Sequence, residues 1–265
     1  MYIDSHTHLS KKDYDDIDLV ITRAKQNNVD YLIVSCCTIE DVLEGLEIVK
    51  KYNNIFLTIG LHPSEADNYT DDDLILIKNL AASNNKIIGI GEIGLDYYYG
   101  KDNVEKQKEL FLKQLDIAKE LNMPVVIHSR DAVFDTQNIL EKFDVKGIIH
   151  CFSGSLEVAN SYVKKGYLIG IGGVLTFKNS KLSLVVEKLP LESIVLETDS
   201  PYLAPVPFRG TKNESKNISI IAEEISKIKN ISLQTVADVT TGNIVALFDL
   251  FDLLWYIFLI IAEVI

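Results

Sequence analysis

Five histidines, at positions 6, 8, 62, 128 and 150, are all the imidazoles in a chain of 265 residues. His6 and His8 lie two apart in the opening stretch MYIDSHTHLS, at the end of a short apolar run. Side chains of an extended strand alternate between faces, so residues two apart project to one side and can offer two ring nitrogens to one ion. Imidazole nitrogen and carboxylate oxygen are ligands for zinc, manganese and related divalent ions, and a carboxylate can bridge two of them. The pair alone also has a plain reading, as two polar residues in a loop. The other three histidines, with Glu92 and Asp199, decide between the two.

What must position these residues is a series of short apolar runs: MYID, YLIVSC, IFLTIG, KIIGIGE, PVVIHS, KGIIHC, YLIGIGG and IVLETD. They are near-continuous rather than alternating, which suits parallel strands buried on both faces. Between them lie stretches of helical character. In EKQKELFLKQLDIAKELN, Phe111, Leu115, Ala118 and Leu121 form an apolar face, with Lys, Gln and Glu placed opposite. DVLEGLEIVKKYN and SLEVANSYVKKG are shorter versions, the second closing on Gly166 as a helix stop. Eight strand–helix units predict a single-domain α/β fold, the (β/α)8 TIM barrel, over residues 1–248. An open doubly wound sheet is the alternative, but no GxGxxG follows the first strand. GIGEIG at Gly89–Gly94 resembles that pattern loosely and reads as close backbone packing at a strand end.

In such a barrel the C-terminal ends of all strands open onto one face. His6 and His8 are expected to end strand 1, His62 to follow strand 3 and Glu92 to end strand 4. His128 would end strand 5, His150 strand 6 and Asp199 strand 8. All seven then converge, which a scatter of hydrogen-bonded polar residues does not explain. Four histidines with two acids exceed the needs of one tetrahedral ion, so a two-metal site is the economical reading, with Glu92 placed to bridge. Asp199 would lie beside His6 and His8, because strand 8 neighbours strand 1. It could bind metal and take a proton from the attacking water, which makes Glu92 and Asp199 the catalytic candidates. Paired ions clamp the attacking and leaving oxygens of a displacement and lower the pKa of bound water.

The bulk properties constrain partners. With 47% hydrophobic residues the chain can bury a full core, and its net charge is −12. A broadly acidic surface repels nucleic acid, which argues against a sequence-reading DNA-binding module and leaves open a nuclease whose cations are concentrated at one site. Cys36, Cys37 and Cys151 form no CxxC pair and read as reduced, packed thiols in the cytoplasm, and no signal peptide or transmembrane span is expected.

The stretches DSHTHL, GLHP, GEIGLDYY, MPVVIHSRDA, HCFSG, ETDSPYLAP and PFRGTKNE occur in an order that resembles the TatD family of metal-dependent nucleases, among the amidohydrolase-like barrels. The resemblance covers residues 1–248. It implies hydrolysis of phosphodiester bonds in DNA, with RNA also open, often from a 3′ end, by a metal-bound hydroxide and two divalent ions of magnesium, manganese or zinc. Carried over by position, it implies that His6, His8, Glu92 and Asp199 hold one ion and that Glu92, His128 and His150 hold the second. His62 and Arg209 would meet substrate phosphate. Arg130 stands equally for a phosphate contact or a residue supporting the ligands. Asp4 and Asp96 are expected to orient ligands by hydrogen bonding. Tyr97, Tyr98 and Tyr99 would either stack on bases or pack at the barrel rim.

Two departures from the family pattern stand out. NES replaces NEP at Asn213–Ser215, which loosens one loop. Residues 249–265, DLFDLLWYIFLIIAEVI, form an atypical apolar tail whose ten-residue core is short for a bilayer. An extra helix on the barrel or across a self-association interface, a weak membrane-associating segment and an altered reading frame all fit it. No stable protein partner is otherwise implied. Two rival functions remain at this point: hydrolysis of another ester or amide on the same site, such as aminoacyl ester deacylation, and non-enzymatic metal binding.

Overall fold

The computed structural model describes residues 1–100 and 102–250. Eight strands, β1 (Tyr2–Thr7), β2 (Val29–Cys36), β3 (Ile55–Ile59), β4 (Ile87–Asp96), β5 (Val125–Arg130), β6 (Gly147–Ile149), β7 (Leu168–Ile171) and β8 (Ile194–Leu196), pair in chain order and in parallel. Between and after them run helices α1 (Ile17–Gln26), α2 (Ile39–Lys51), α3 (Asp71–Ser83), α4 (Val104–Leu121), α5 (Val133–Leu140), α6 (Leu156–Lys164), α7 (Leu182–Lys188), α8 (Ile218–Lys229) and α9 (Leu233–Leu247). This is a (β/α)8 TIM barrel. Among the described residues no helix is long and apolar enough to cross a membrane.

The sheet closes where β1 meets β8. The bridge is Thr7 with Ser200, and the Asp199 N–H donates to the His6 carbonyl at 2.9 Å. Asp4, wholly buried, accepts from the Thr198 N–H at 2.9 Å and from the Thr198 hydroxyl at 2.6 Å. Burial raises the Asp4 carboxyl to about 7, against these bonds, which favour its charged form. Asp4 also accepts from the His6 N–H at 3.4 Å, so the acid expected to orient ligands holds His6 and braces the seam as well.

Inside the barrel the period of two sets a floor and a ceiling. Ile3, Ile33, Phe56, Ile88, Val126, Ile148, Leu168 and Val195 pack together at the N-terminal end, one from each strand. Ile244, Val245 and Phe248, at the end of α9, close this floor from below, and Leu250 packs against it. Two residues further along four of the strands stand Ser35, Thr58, His128 and His150, and Glu197 does the same on β8. On β2, β3, β5, β6 and β8 this face is thus apolar below and polar at or just past the strand end. Leucine, isoleucine and valine on the outward faces pack against the helices as a second, larger core.

The helices are held by local chemistry the sequence supplies. Ser155 caps α6, and after Lys164 the chain turns through Gly166 at φ 85°, with the Tyr167 N–H bonded to the Tyr162 carbonyl. Helix α4 differs from its expected face. Phe111, Leu115 and Ala118 are buried as expected, but Gln107 and Gln114 are buried beside them rather than opposite. β4 also runs four residues past Glu92, because its ladder with β5 continues through Leu95–Ser129 and Asp96–Arg130.

Candidate metal centre

His6 lies in β1 and His8 just beyond it, with their Nε2 atoms 3.3 Å apart. Two ligands at about 2.1 Å from one tetrahedral ion stand about 3.4 Å from each other, so this spacing fits a shared ion. The Nδ1–H of His8 donates to the Ser35 carbonyl at 3.0 Å, so Nε2 is the nitrogen that faces that position. The Ser35 hydroxyl in turn meets His6 Nδ1 at 3.0 Å. One small residue on β2 therefore sets both rings.

Glu92 divides its carboxylate between two histidine pairs. Its Oε2 is 3.3 Å from His6 Nε2 and 3.8 Å from His8 Nε2. Its Oε1 is 2.7 Å from His128 Nδ1 and 2.8 Å from His150 Nε2, and those two nitrogens are 3.1 Å apart. Asp199 follows β8 in a left-handed conformation, φ 52°, and places Oδ1 3.4 Å from His8 and 3.6 Å from His6. The sets His6–His8–Glu92, His6–His150–Asp199 and Glu92–His128–His150 each bring ligand atoms within 4.8 Å of one another. The donor chemistry is right for divalent ions: ring nitrogens and carboxylates, nearly all buried.

The proton affinities follow from the same contacts. Burial pushes His6 down to about 4, which keeps that ring neutral. Burial also acts on His8, but the hydrogen bond to Asp199 and the charge of Glu92 outweigh it and hold His8 up at about 9. His128 is likewise raised to about 9, against burial, by Asp96 and Glu92. Glu92 is buried, which alone would raise its carboxyl, yet the surrounding imidazoles hold it well below the usual range. Protons on His8 and His128 balance the carboxylates that an ion would otherwise neutralise.

Beside Asp96, which was expected to orient a ligand and meets His128, supporting groups come from residues the sequence reading passed over. The His128 Nε2–H donates to Asp96 Oδ2 at 3.1 Å, which turns Nδ1 toward Glu92 and His150. Gln107 bonds both the N–H and the carbonyl of Asp96, at 2.9 Å each. Gln114, two helical turns later, does the same for Leu61, at 2.7 and 3.0 Å, directly before His62. Their signal was two glutamines seven apart on the stripe that carries Phe111 and Leu115. Glu197 is fully buried beside β7 and accepts from the Cys151 N–H, the residue after His150. Its Oε2 and His150 Nδ1 have no hydrogen-bond partner among the described residues.

The remaining candidates border this cluster. His62 accepts the Ser64 N–H at Nδ1, so Nε2 carries the proton and points it into the site, 3.9 Å from Glu92 Oε1. Burial lowers His62 to about 4, so the ring is a neutral donor. The Arg209 guanidinium lies over Phe177 at 4.1 Å, and that of Arg130 lies over Tyr98 at 3.6 Å. Tyr98 and Tyr99 are exposed, while the Tyr97 hydroxyl is bonded to Asp135. Cys36 is a packed thiol as expected. Cys37 instead directs its thiol to Glu92 Oε2 at 3.4 Å. Cys151 does not continue β6, which ends at Ile149, but turns through φ 46°.

Comparison with known proteins places this geometry in a family. The model described as TatD related DNase matches residues 3–249. The chain is 40% identical over 253 residues to the metal-dependent hydrolase YabD of Bacillus subtilis, covering 94% of this chain and 99% of that one. It is 35% identical over 260 residues to human deoxyribonuclease TATDN3, covering 93% and 94% of the two. The crystal structure of YJJV, a TatD homolog from Escherichia coli K12, superposes with a TM-score of 0.87 at 31% identity, over 94% of this chain and 98% of that one. A match running from the third residue to Asp249, shared with hydrolases that depend on metal, makes this chain a member of the TatD-related DNase family and a metal-dependent hydrolase.

Proposed function

We propose that the protein hydrolyses phosphodiester bonds in DNA at a two-metal centre, removing nucleotides from a 3′ end. The observation that carries this reading is the division of Glu92, with Oε2 among His6 and His8 and Oε1 between His128 and His150. Such a carboxylate suits a bridge between two ions. Bound divalent ions, magnesium, manganese or zinc, supply a water of lowered pKa and positive charge against phosphoryl oxygens.

The chain's own residues do the rest. Glu92 fixes the separation of the two ligand sets. Asp199 takes the proton of the attacking water. His62 donates its Nε2–H to a phosphate oxygen, and Arg209 and Arg130 add charged donors at the mouth. In a chain of net charge −12, those two arginines favour a phosphate polymer over an uncharged ester or amide. The human relative's name, deoxyribonuclease, supports the same substrate. Reduced thiols suit a cytoplasmic enzyme, and self-association through the apolar tail belongs to this proposal as well.

The test has two arms. Elemental analysis at saturation is expected to give two ions per chain. A 5′-labelled oligonucleotide is expected to shorten one nucleotide at a time. One ion at saturation defeats the two-metal reading, and internal cuts alone defeat the exonuclease.

A further inference from the structure

The chain has only three arginines, Arg23, Arg130 and Arg209. Arg23 is closed in a bidentate pair with Glu214, at 2.7 and 3.0 Å. Arg130 makes no ion pair within 4.0 Å among the described residues and instead covers Tyr98, its Cζ 3.6 Å from the ring centroid. Tyr98 is 56% exposed and meets the edge of Tyr99, 85% exposed, at 4.9 Å. The stack is held firmly to the metal centre. The Tyr98 N–H donates to Asp96 Oδ1 at 2.9 Å, and Asp96 Oδ2 accepts from His128. The Tyr97 N–H bonds the Arg130 carbonyl, so backbone pairing holds the two partners side by side.

A cation needed only for phosphate would not have to be planar, and elsewhere the chain relies almost wholly on lysine. A guanidinium stacked on a tyrosine offers a second flat face outward, while its N–H edge remains free for an anion. That combination matches a nucleotide, a flat base beside a phosphate. We propose that Tyr98 and Arg130 form the seat of the nucleobase next to the scissile phosphate, the base lying on the outer face of the guanidinium. The proposal rests on the nuclease reading and adds to it a contact with the base itself.

The test uses the metal-loaded enzyme and two oligonucleotides, one ordinary and one whose 3′-terminal nucleotide carries a tetrahydrofuran in place of the base. The readout is the ratio of kcat/KM for the two, which a general loss of activity cannot move. The wild type is expected to prefer the base-bearing end by on the order of tenfold or more, the usual worth of one stacked base. Tyr98→Ala and Arg130→Lys should bring the ratio close to one, and Tyr98→Phe should preserve it. Arg130→Lys with the wild-type ratio would overturn the stacked guanidinium, because lysine keeps the charge and loses the plane. Equal cleavage of both oligonucleotides by the wild type would overturn the base seat and leave the nuclease reading standing. A wild type that hydrolyses bis(p-nitrophenyl) phosphate but neither oligonucleotide would overturn the nuclease reading itself.

Discussion

Replacing Gly170 by alanine should destabilise the barrel through a single carboxyl group. A Cβ at that position would sit 2.1 Å from Glu197 Oε2 and 2.7 Å from its Cδ. Ordinary contact is about 3.5 Å, so the carboxyl would have to retreat by roughly an ångström or more. It has nowhere to go, because Glu197 is fully buried and its other oxygen holds the Cys151 N–H. Overpacking of this kind costs about 1–3 kcal/mol, and losing the bond to Cys151 adds about 1 kcal/mol. For a chain of this size the sum lowers Tm by roughly 5–15 °C. The assay is thermal unfolding of four proteins: wild type, Gly170→Ala, Glu197→Ala and the double variant. With Glu197 shortened the clash disappears, so Gly170→Ala in that background should cost less than about 0.5 kcal/mol and could even stabilise slightly. A coupling of about 2 kcal/mol is therefore expected between the two sites. Additive losses would refute the reasoning, since the strain would then lie elsewhere in β7.

Four further outcomes are expected. Asp199→Asn should abolish cleavage while most metal stays bound, because an amide oxygen still coordinates but cannot accept a proton; near-normal turnover with metal measured in parallel would remove Asp199 from that role. Arg209→Ala should lower DNA cleavage by about tenfold more than hydrolysis of a small aryl phosphate diester, the worth of one charge-assisted bond to a flanking phosphate; equal losses would place Arg209 at the reacting phosphate or in the fold. His8 and His128 are both held up at about 9 and must each release a proton to offer a nitrogen, so metal affinity should fall as pH drops below that value and level off above it. Calorimetric titration in buffers of different ionisation enthalpy measures the released protons, and an affinity that is flat from about pH 6 to 9 contradicts the ligand assignment. A chain ending at Leu250 should keep its fold and metal-dependent activity and associate less, since Leu250 packs on the barrel floor and residues 251–265 lie outside the described residues. Insoluble protein from that truncation would mean that the tail belongs to the core or to an interface.

The barrel was legible because strands buried on both faces leave near-continuous apolar runs, and eight of them at even intervals admit few topologies. The candidate ligands were legible for a related reason. Histidine is scarce here, and every strand ends on the same side, so His6, His128 and His150 could be brought together without knowing a single contact. What sets those ligands was less visible. Ser35 stands in YLIVSC as one serine among many, and its hydroxyl and carbonyl matter only because β2 lies beside β1. Gln107 and Gln114 looked like solvent-facing residues of an amphipathic helix, whereas the backbones of Asp96 at the end of β4 and of Leu61 after β3 needed their amides more than water did. The Arg130–Tyr98 stack joins residues 32 positions apart across two strand ends, a pairing that depends on β4 and β5 running longer than their apolar cores.

The closure of β1 on β8 also sets an order of assembly. Asp4 and Thr198, which brace it, are 194 residues apart in the chain. Contacts between such distant segments carry a large loss of chain entropy and form late. Glu92, His128 and His150 are all present once the sixth strand has been made, whereas His6 and His8 must wait for Asp199 to arrive with the eighth. A growing chain can thus complete one half of the centre before the other exists. An ion held by His6, His8 and Asp199 would then work as a clasp on a ring, joining its first strand to its last. Stripping metal from the finished protein should accordingly loosen amide protection along β1 and β8 before it does so in β4 to β6, and the enzyme would fail first by opening at its seam.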